Sequence, residues 1–136
     1  MAGVIGLLEA AIYTKLNVAS VKSGAGATGV YNRIAPQGAA LPYVIFQWQG
    51  GGDENDHPKR SRNLVYTVKA LAATVTAAET IDAACDALLH DGSLTISGYS
   101  LFWLRREGDV AYGEVNDAGV TVFHSGGMYR IRTEKT

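Results

Sequence analysis

The residues whose types could do chemistry are few in this chain and widely spaced. Gly24, Gly26 and Gly29 fall as G-x-G-x-x-G, the spacing that lets a dinucleotide pyrophosphate approach a helix N-terminus. That use needs a strand before the glycines and a helix after them. Here a helical pattern comes first, and Val30-Tyr31 leads to Pro36 with no helical period, so the glycines read as a loop. His57, His90 and His124 are too far apart for the short ligand spacings of zinc sites, and His90 near a helix C-terminus suits a cation beside the dipole. Glu79, Asp82 and Asp86 recur on one side of a helix, as paired acid-base carboxylates could. No pocket that would push their pKa values apart is evident, so a solvated helix face is expected. Cys85 falls on an apolar helix face as a small buried hydrophobe, and no G-x-S-x-G elbow is present. Neither enzyme activity nor a catalytic residue, cofactor or metal is expected.

The elements that would hold these residues follow from periodicity. Val4, Ile5, Leu8, Ala11, Ile12 and Leu16 draw an apolar stripe on a helix from about Gly3 to Asn17. Ser23 to Gly29 is too glycine-rich for regular structure and reads as a flexible connection. Tyr43 to Gln49 and Leu64 to Leu71 are β-branched, aromatic stretches expected to pair antiparallel across the loop Gly50 to Asn63. Thr76-Ala-Ala-Glu79 has the form of a capping box, opening a second helix whose apolar face is Ala77, Ala78, Ile81, Ala84, Cys85, Leu88 and Leu89. Gly92 is placed to end it in a left-handed conformation. A short strand is expected over Leu94 to Ile96. Then come Tyr99 to Val115 and Val120 to Glu134, joined by a turn at Asn116-Asp-Ala-Gly119, with a bulge or bend at Gly126-Gly127. The expected fold is one α+β domain over residues 1–136, with two helices on one face of a mostly antiparallel sheet, in the order α-β-β-β-α-β-β-β.

Composition excludes several function classes. The 136 residues hold 12 Lys plus Arg against 13 Asp plus Glu, so there is no basic field to hold a nucleic-acid backbone. With 47% hydrophobic residues and 18% charged, the chain has the composition of a globular protein. No apolar run approaches the roughly 20 residues that cross a bilayer, and Glu9 precedes the first lysine, unlike a signal peptide. The single cysteine fits a reducing compartment. The most unusual segment is Gly50 to Arg62, where three glycines precede a block of acid (Asp53, Glu54, Asp56) and a block of base (Lys59, Arg60, Arg62). It reads as a charged surface loop over residues 50–63, either merely solvated or an arm for a partner.

The stretch "RIAPQGAALPYVIFQ", Arg33 to Gln47, places a Pro-Gln-Gly turn and a second proline directly before strand formers. Pro36 and Pro42 restrict φ and bias the residues before them toward extended backbone, so the strand is approached through a stiffened segment. This stretch, with "LEAAIYTKLN", "VYNRIAPQG", "TAAETIDAACDALL" and a closing "MYRIRTE", resembles the tail-completion or tail-terminator family of long-tailed bacteriophages. The resemblance spans most of the chain. It implies a structural protein of the virion with no catalysed step, which forms a ring, six-membered by family expectation, at the head-proximal end of the tail tube. There it would stop tube growth and join tail to head, after assembly in the host cytoplasm. Its partners would be copies of itself, the tail tube protein and a head connector or completion protein, with DNA only as cargo through the lumen and no membrane. The residues expected at subunit or partner interfaces are Arg33, Pro36, Gln37, Gly38 and Pro42, with Asp53, Glu54, Asp56, Lys59, Arg60 and Arg62 of the charged loop. A head-completion or connector adaptor of the neck is the alternative, and a small ligand-binding α+β domain the reading from another class, which needs a concave pocket with converging polar groups.

Overall fold

The computed structural model of the protein describes residues 4–54 and 61–136. Its elements are α1 (Val4–Leu16), β1 (Val30–Asn32), β2 (Tyr43–Asp53), β3 (Ser61–Ala72), α2 (Val75–Leu89), β4 (Tyr99–Val115) and β5 (Thr121–Lys135). The strands form one sheet in the order β1-β2-β3-β5-β4, antiparallel except for the short parallel pair β1–β2. The α+β class is as expected, with one strand fewer. Leu94 to Ile96 makes only an isolated bridge from Ile96 to Tyr99. Ile96 does enter the core, but the chain there runs straight into β4 and finds no strand to pair with.

One core holds the layers together. Leu8, Ile12 and Leu16 of α1 and Ile81, Cys85 and Leu89 of α2 pack on Phe46, Leu64, Tyr66, Val68, Leu104, Tyr129 and Ile131 of the sheet. Because side chains alternate along a strand, only one face of β3 supplies this core. Tyr66 lies directly opposite Tyr129 in the β3–β5 register, and both are fully buried. Each such large side chain contributes about 1.5–3 kcal/mol by leaving water. The other sheet face carries a smaller cluster, Ile45, Leu71 and Val122, against which Ala35 and Leu41 pack.

Several local readings are corrected by the registers. The N-cap of α2 is Thr74, whose hydroxyl oxygen accepts from the Ala77 amide at 3.2 Å, so the helix opens before the Thr76 box. At the other end the left-handed residue is Asp91 (φ 55°), not Gly92, whose amide still donates to the Leu89 carbonyl. The Ser23–Gly29 segment has no regular element, but successive turns hydrogen-bond it, and buried Val21 before it and Ala27 within it pin it to the core. Gly50, Gly51 and Gly52 are not loop: they pair with Val65, Leu64 and Asn63 and extend β2 to Asp53. Gly51 is required there, since it has φ 88° and a Cβ would fall 2.1 Å from the Asn63 carbonyl oxygen.

Gly126-Gly127 shows no bulge, and its register runs unbroken against β3 and β4. The shifts lie instead between Trp48 and Gly50 in β2, and between Leu101 and Trp103 and between Arg106 and Gly108 in β4. The last has the largest consequence. Residues three apart on a regular strand face opposite ways, but the extra residue Glu107 turns both Arg106 and Asp109 to the helix side, opposite Tyr129 and Gly127.

Candidate functional site

The sheet separates the expected interface residues into two groups. Tyr43, Leu71, His124 and Tyr112 form one row across β2, β3, β5 and β4, and Asp53, Arg62, Thr133 and Leu101 form another. Nine residues of β2 lie between these rows, about 30 Å. Arg33 to Pro42 belongs to the first end, and Asp53, Glu54 and Arg62 to the second.

At the first end the chain leaves β1, folds over the smaller apolar cluster and returns into β2. Arg33 takes φ 71°, with its amide on the Phe46 carbonyl (2.8 Å) and its guanidinium 3.2 Å from Glu9 of α1. Pro36 to Ala39 is a turn closed by the Ala39 amide on the Pro36 carbonyl, and Gly38 at φ 85° supplies the positive dihedral such a turn requires. The Leu41-Pro42 peptide is cis. Thr28 clamps the return: its amide donates to the Pro42 carbonyl, and its hydroxyl lies 2.6 Å from the Ala40 carbonyl and 3.0 Å from that of Pro42. Ile34 is left 81% exposed, beside exposed Pro36, Gln37 and Gly38. The stiffness expected from two prolines is therefore reinforced by Thr28 and Glu9, which sequence reasoning did not single out, because neither partner is near in the chain. Burial first and the Glu9 carboxylate second push the Tyr66 phenol well above its ordinary value of 10.0.

At the second end Glu54 donates its amide to the Ser61 carbonyl (2.9 Å), and its carboxylate lies 3.0 Å from Arg132 Nε. The Arg132 guanidinium also sits 5.1 Å over the Phe102 ring, which the β4 irregularity turns outward. Arg62 is half-buried and pairs with Asp53 in the sheet register. Asp56, Lys59 and Arg60 lie outside the described residues.

A third constellation was expected to be a solvated helix face and is not. Arg106 forks onto Asp82 of α2 at 2.8 and 3.0 Å, while its Nε donates to Asp109 (2.8 Å) and its remaining donors reach the Gly126 carbonyl (2.7 Å) and Tyr129 (3.3 Å). Tyr129 donates in turn to Asp86 at 2.8 Å. Arg106 and Asp82 expose only 17% and 13% of their side chains, whereas Glu79 is exposed. Spacing alone gave no sign of this, because the bulge at Glu107 is what brings the arginine to the helix. The hydrogen bond to Asp82 leads the causes that hold the Arg106 proton even more firmly than usual, and burial pushes the Cys85 thiol up to about 12. The latter matches its reading as an inert core residue. His90, by contrast, accepts the Arg106 amide on Nδ1 at 3.1 Å, and so seals the outer edge of β4.

These networks tie elements together and leave no reacting atom poised. Among the described residues no three His, Cys, Asp or Glu side chains gather as metal ligands, and no helix is long and apolar enough to cross a membrane.

Comparison with known proteins gives a consistent picture. The family model described as tail completion protein gp17 matches residues 10–133. Among solved structures, a chain from the virion of a native gene transfer agent particle superposes with a TM-score of 0.79 at 22% identity, over 98% of this chain and 99% of that one. No curated protein sequence matches.

Proposed function

The chain belongs to the tail completion protein gp17 family, a structural and non-enzymatic one, and on that premise we propose that its copies form a ring closing the head-proximal end of a phage-type tail tube. The ring stops tube polymerisation and receives the head. The observation that carries this reading is the separation of two unlike surfaces on one sheet. A stiffened, exposed loop (Ile34, Pro36, Gln37, Gly38) stands at one end, and the charged β2–β3 end with Glu54 and Arg62 at the other. A subunit with unlike ends presents unlike rims when copies are arranged around an axis. One rim matches the last tube ring. The other does not reproduce the tube's growing surface, so the next tube subunit finds no complementary patch.

The fold shared with a chain of a gene transfer agent virion supports a place in an assembled particle. The partners are then other copies, six in all by the family resemblance, the tail tube protein and a head connector, with DNA passing through the lumen. Deleting the gene and imaging the products tests the proposal. Tubes of uncontrolled length, or tails that cannot join heads, are expected; normal-length tails on filled heads would overturn it.

A further inference from the structure

We infer that copies join head to tail, the tip of the β4–β5 hairpin of one seating in an apolar groove on the helix layer of the next. The inference rests on the ring reading and adds to it the contact that would close the ring.

Two features lack partners among the described residues. The first is the hairpin tip. β3 ends at Ala72, opposite Phe123, so beyond Gly113 and Phe123 the two strands of the hairpin pair only with each other. The tip is nevertheless built firmly. Asn116 Oδ1 accepts the amides of Ala118 and Val120, both at 3.0 Å, and Gly119 takes φ 79° to close the turn. It carries Val115 and Val120 at 66% and 47% exposure, with Glu114 and Asp117 and no cation from 113 to 121.

The second feature is an open groove of about 590 Å³ between α1 and the segment that follows α2. Leu7, Ala11, Val18, Leu88 and Leu94 give it apolar walls, and its one charged residue is Lys15. It lacks the converging polar groups that fix a small ligand. Its chemistry complements the tip: apolar walls for Val115 and Val120, a lysine for Asp117, and hydroxyls of Thr14, Ser93, Thr95 and Ser97 that can donate to the carbonyls of the turn.

The tip cannot fill the groove of its own chain. Residues 93–97 lead directly into β4, and the tip lies sixteen residues further along an extended strand, roughly 50 Å away. Tip and groove are therefore a plug and a socket at opposite ends of one molecule, and such a heterologous pair builds a ring when its rotation closes.

Cysteine cross-linking of the full chain tests this, since Cys85 is buried and unreactive. A118C marks the tip and T95C the groove. Under mild oxidation, a mixture of the two single variants is expected to give dimers, each variant alone none, and the double variant a ladder of oligomers. Adding V115D should lower the ladder yield at least tenfold with thermal unfolding unchanged. Should V115D fail to fold, D117K is expected to lower the yield and K15E to restore it. Single variants that cross-link to themselves as readily as the mixture would overturn the proposal. Absence of cross-links, with several copies of the protein still present on each tail, would overturn the tip-and-groove contact and leave the ring standing. A single copy on each tail would overturn both.

Discussion

Protonation of His124 sets burial against a carboxylate. Its ring is 96% buried and stacked on Tyr112 (centroids 4.2 Å apart), Nε2 lies 2.6 Å from Glu114 Oε1, and Nδ1 has no hydrogen-bond partner among the described residues. A proton added at Nδ1 would create a buried charge with an unused donor. Burial accordingly leads in holding His124 below its ordinary 6.5, Lys69 adds to it, and the bond to Glu114 opposes both. The unfolded chain takes up the proton near 6.5 while the folded protein resists it. Stability contributed here is thus present above that pH and is lost as pH falls below it. Thermal melts of wild type and H124F across this range should show a shallower acid slope for the variant; parallel slopes would remove the assignment. Arg106 is a larger matter. Truncation to alanine strands the carboxylate of Asp82, at a cost of about 3 kcal/mol. Lysine should recover only part of that, because an ammonium cannot fork onto Asp82 while also reaching Asp109 and Gly126. Urea midpoints of R106A and R106K check both expectations. Cys85 was legible from its place on an apolar stripe. Asp82 was not, because its partner lies 24 residues away on a strand whose register depends on one inserted residue.

Both helices and the long strands were readable because their apolar residues repeat at the period of the element, and tertiary packing did not contradict it. The irregularities were not readable. A bulge is a property of two strands in register, so neither Gln49 nor Glu107 carries a mark of it in the chain. The glycines pointed the wrong way for the same reason, suggesting a loop at 50–52 and a bend at 126–127 where the sheet in fact runs on, with close backbone approach at Gly51 and Gly126. A Cβ on Gly126 would lie 2.2 Å from the Val68 carbonyl oxygen and 2.5 Å from Lys69 Cα, backbone that can yield only by spreading β3 from β5. At Gly113 the nearest atoms are the Phe123 ring at 3.2 Å, which can turn aside. G126A is expected to destabilise by about 1–3 kcal/mol and G113A by clearly less. Equal melting temperatures for the two would show that β3 and β5 have slack at this point. The cap was likewise misplaced: Thr74, two residues before Thr76, accepts the Ala77 amide and opens the helix.

For the whole molecule, the fold class and family were legible from the order of elements and the Pro-Gln-Gly to Pro-Tyr-Val stretch, but the polarity of the subunit was not. That the Arg33–Pro42 loop and the pair Asp53 and Arg62 stand at opposite ends follows only from the strand registers. If the charged end grips a neighbour or the tube, replacing residues 55–60 by a Gly-Gly link should leave the melting temperature nearly unchanged and weaken tail binding. Exposed ion pairs contribute about 0.2–1 kcal/mol each, and the loss is multiplied over every copy engaged. Tail binding equal to wild type would retire that role. The sealed margin of β4 bears on a different problem, how an exposed sheet rim avoids pairing with other chains. A strand of 17 residues at the rim of a sheet is a template for fibres. Here the Asp91 amide occupies the Leu104 carbonyl and His90 occupies the Arg106 amide, while Glu107, Asp109 and Glu114 line the stretch beyond. The rim is thereby cut into a five-residue piece and an acidic piece, short of the uncharged six- or seven-residue run that a steric zipper requires. The end of α2 thus acts as a gatekeeper on that rim, leaving neither piece both long and uncharged enough to template a fibre.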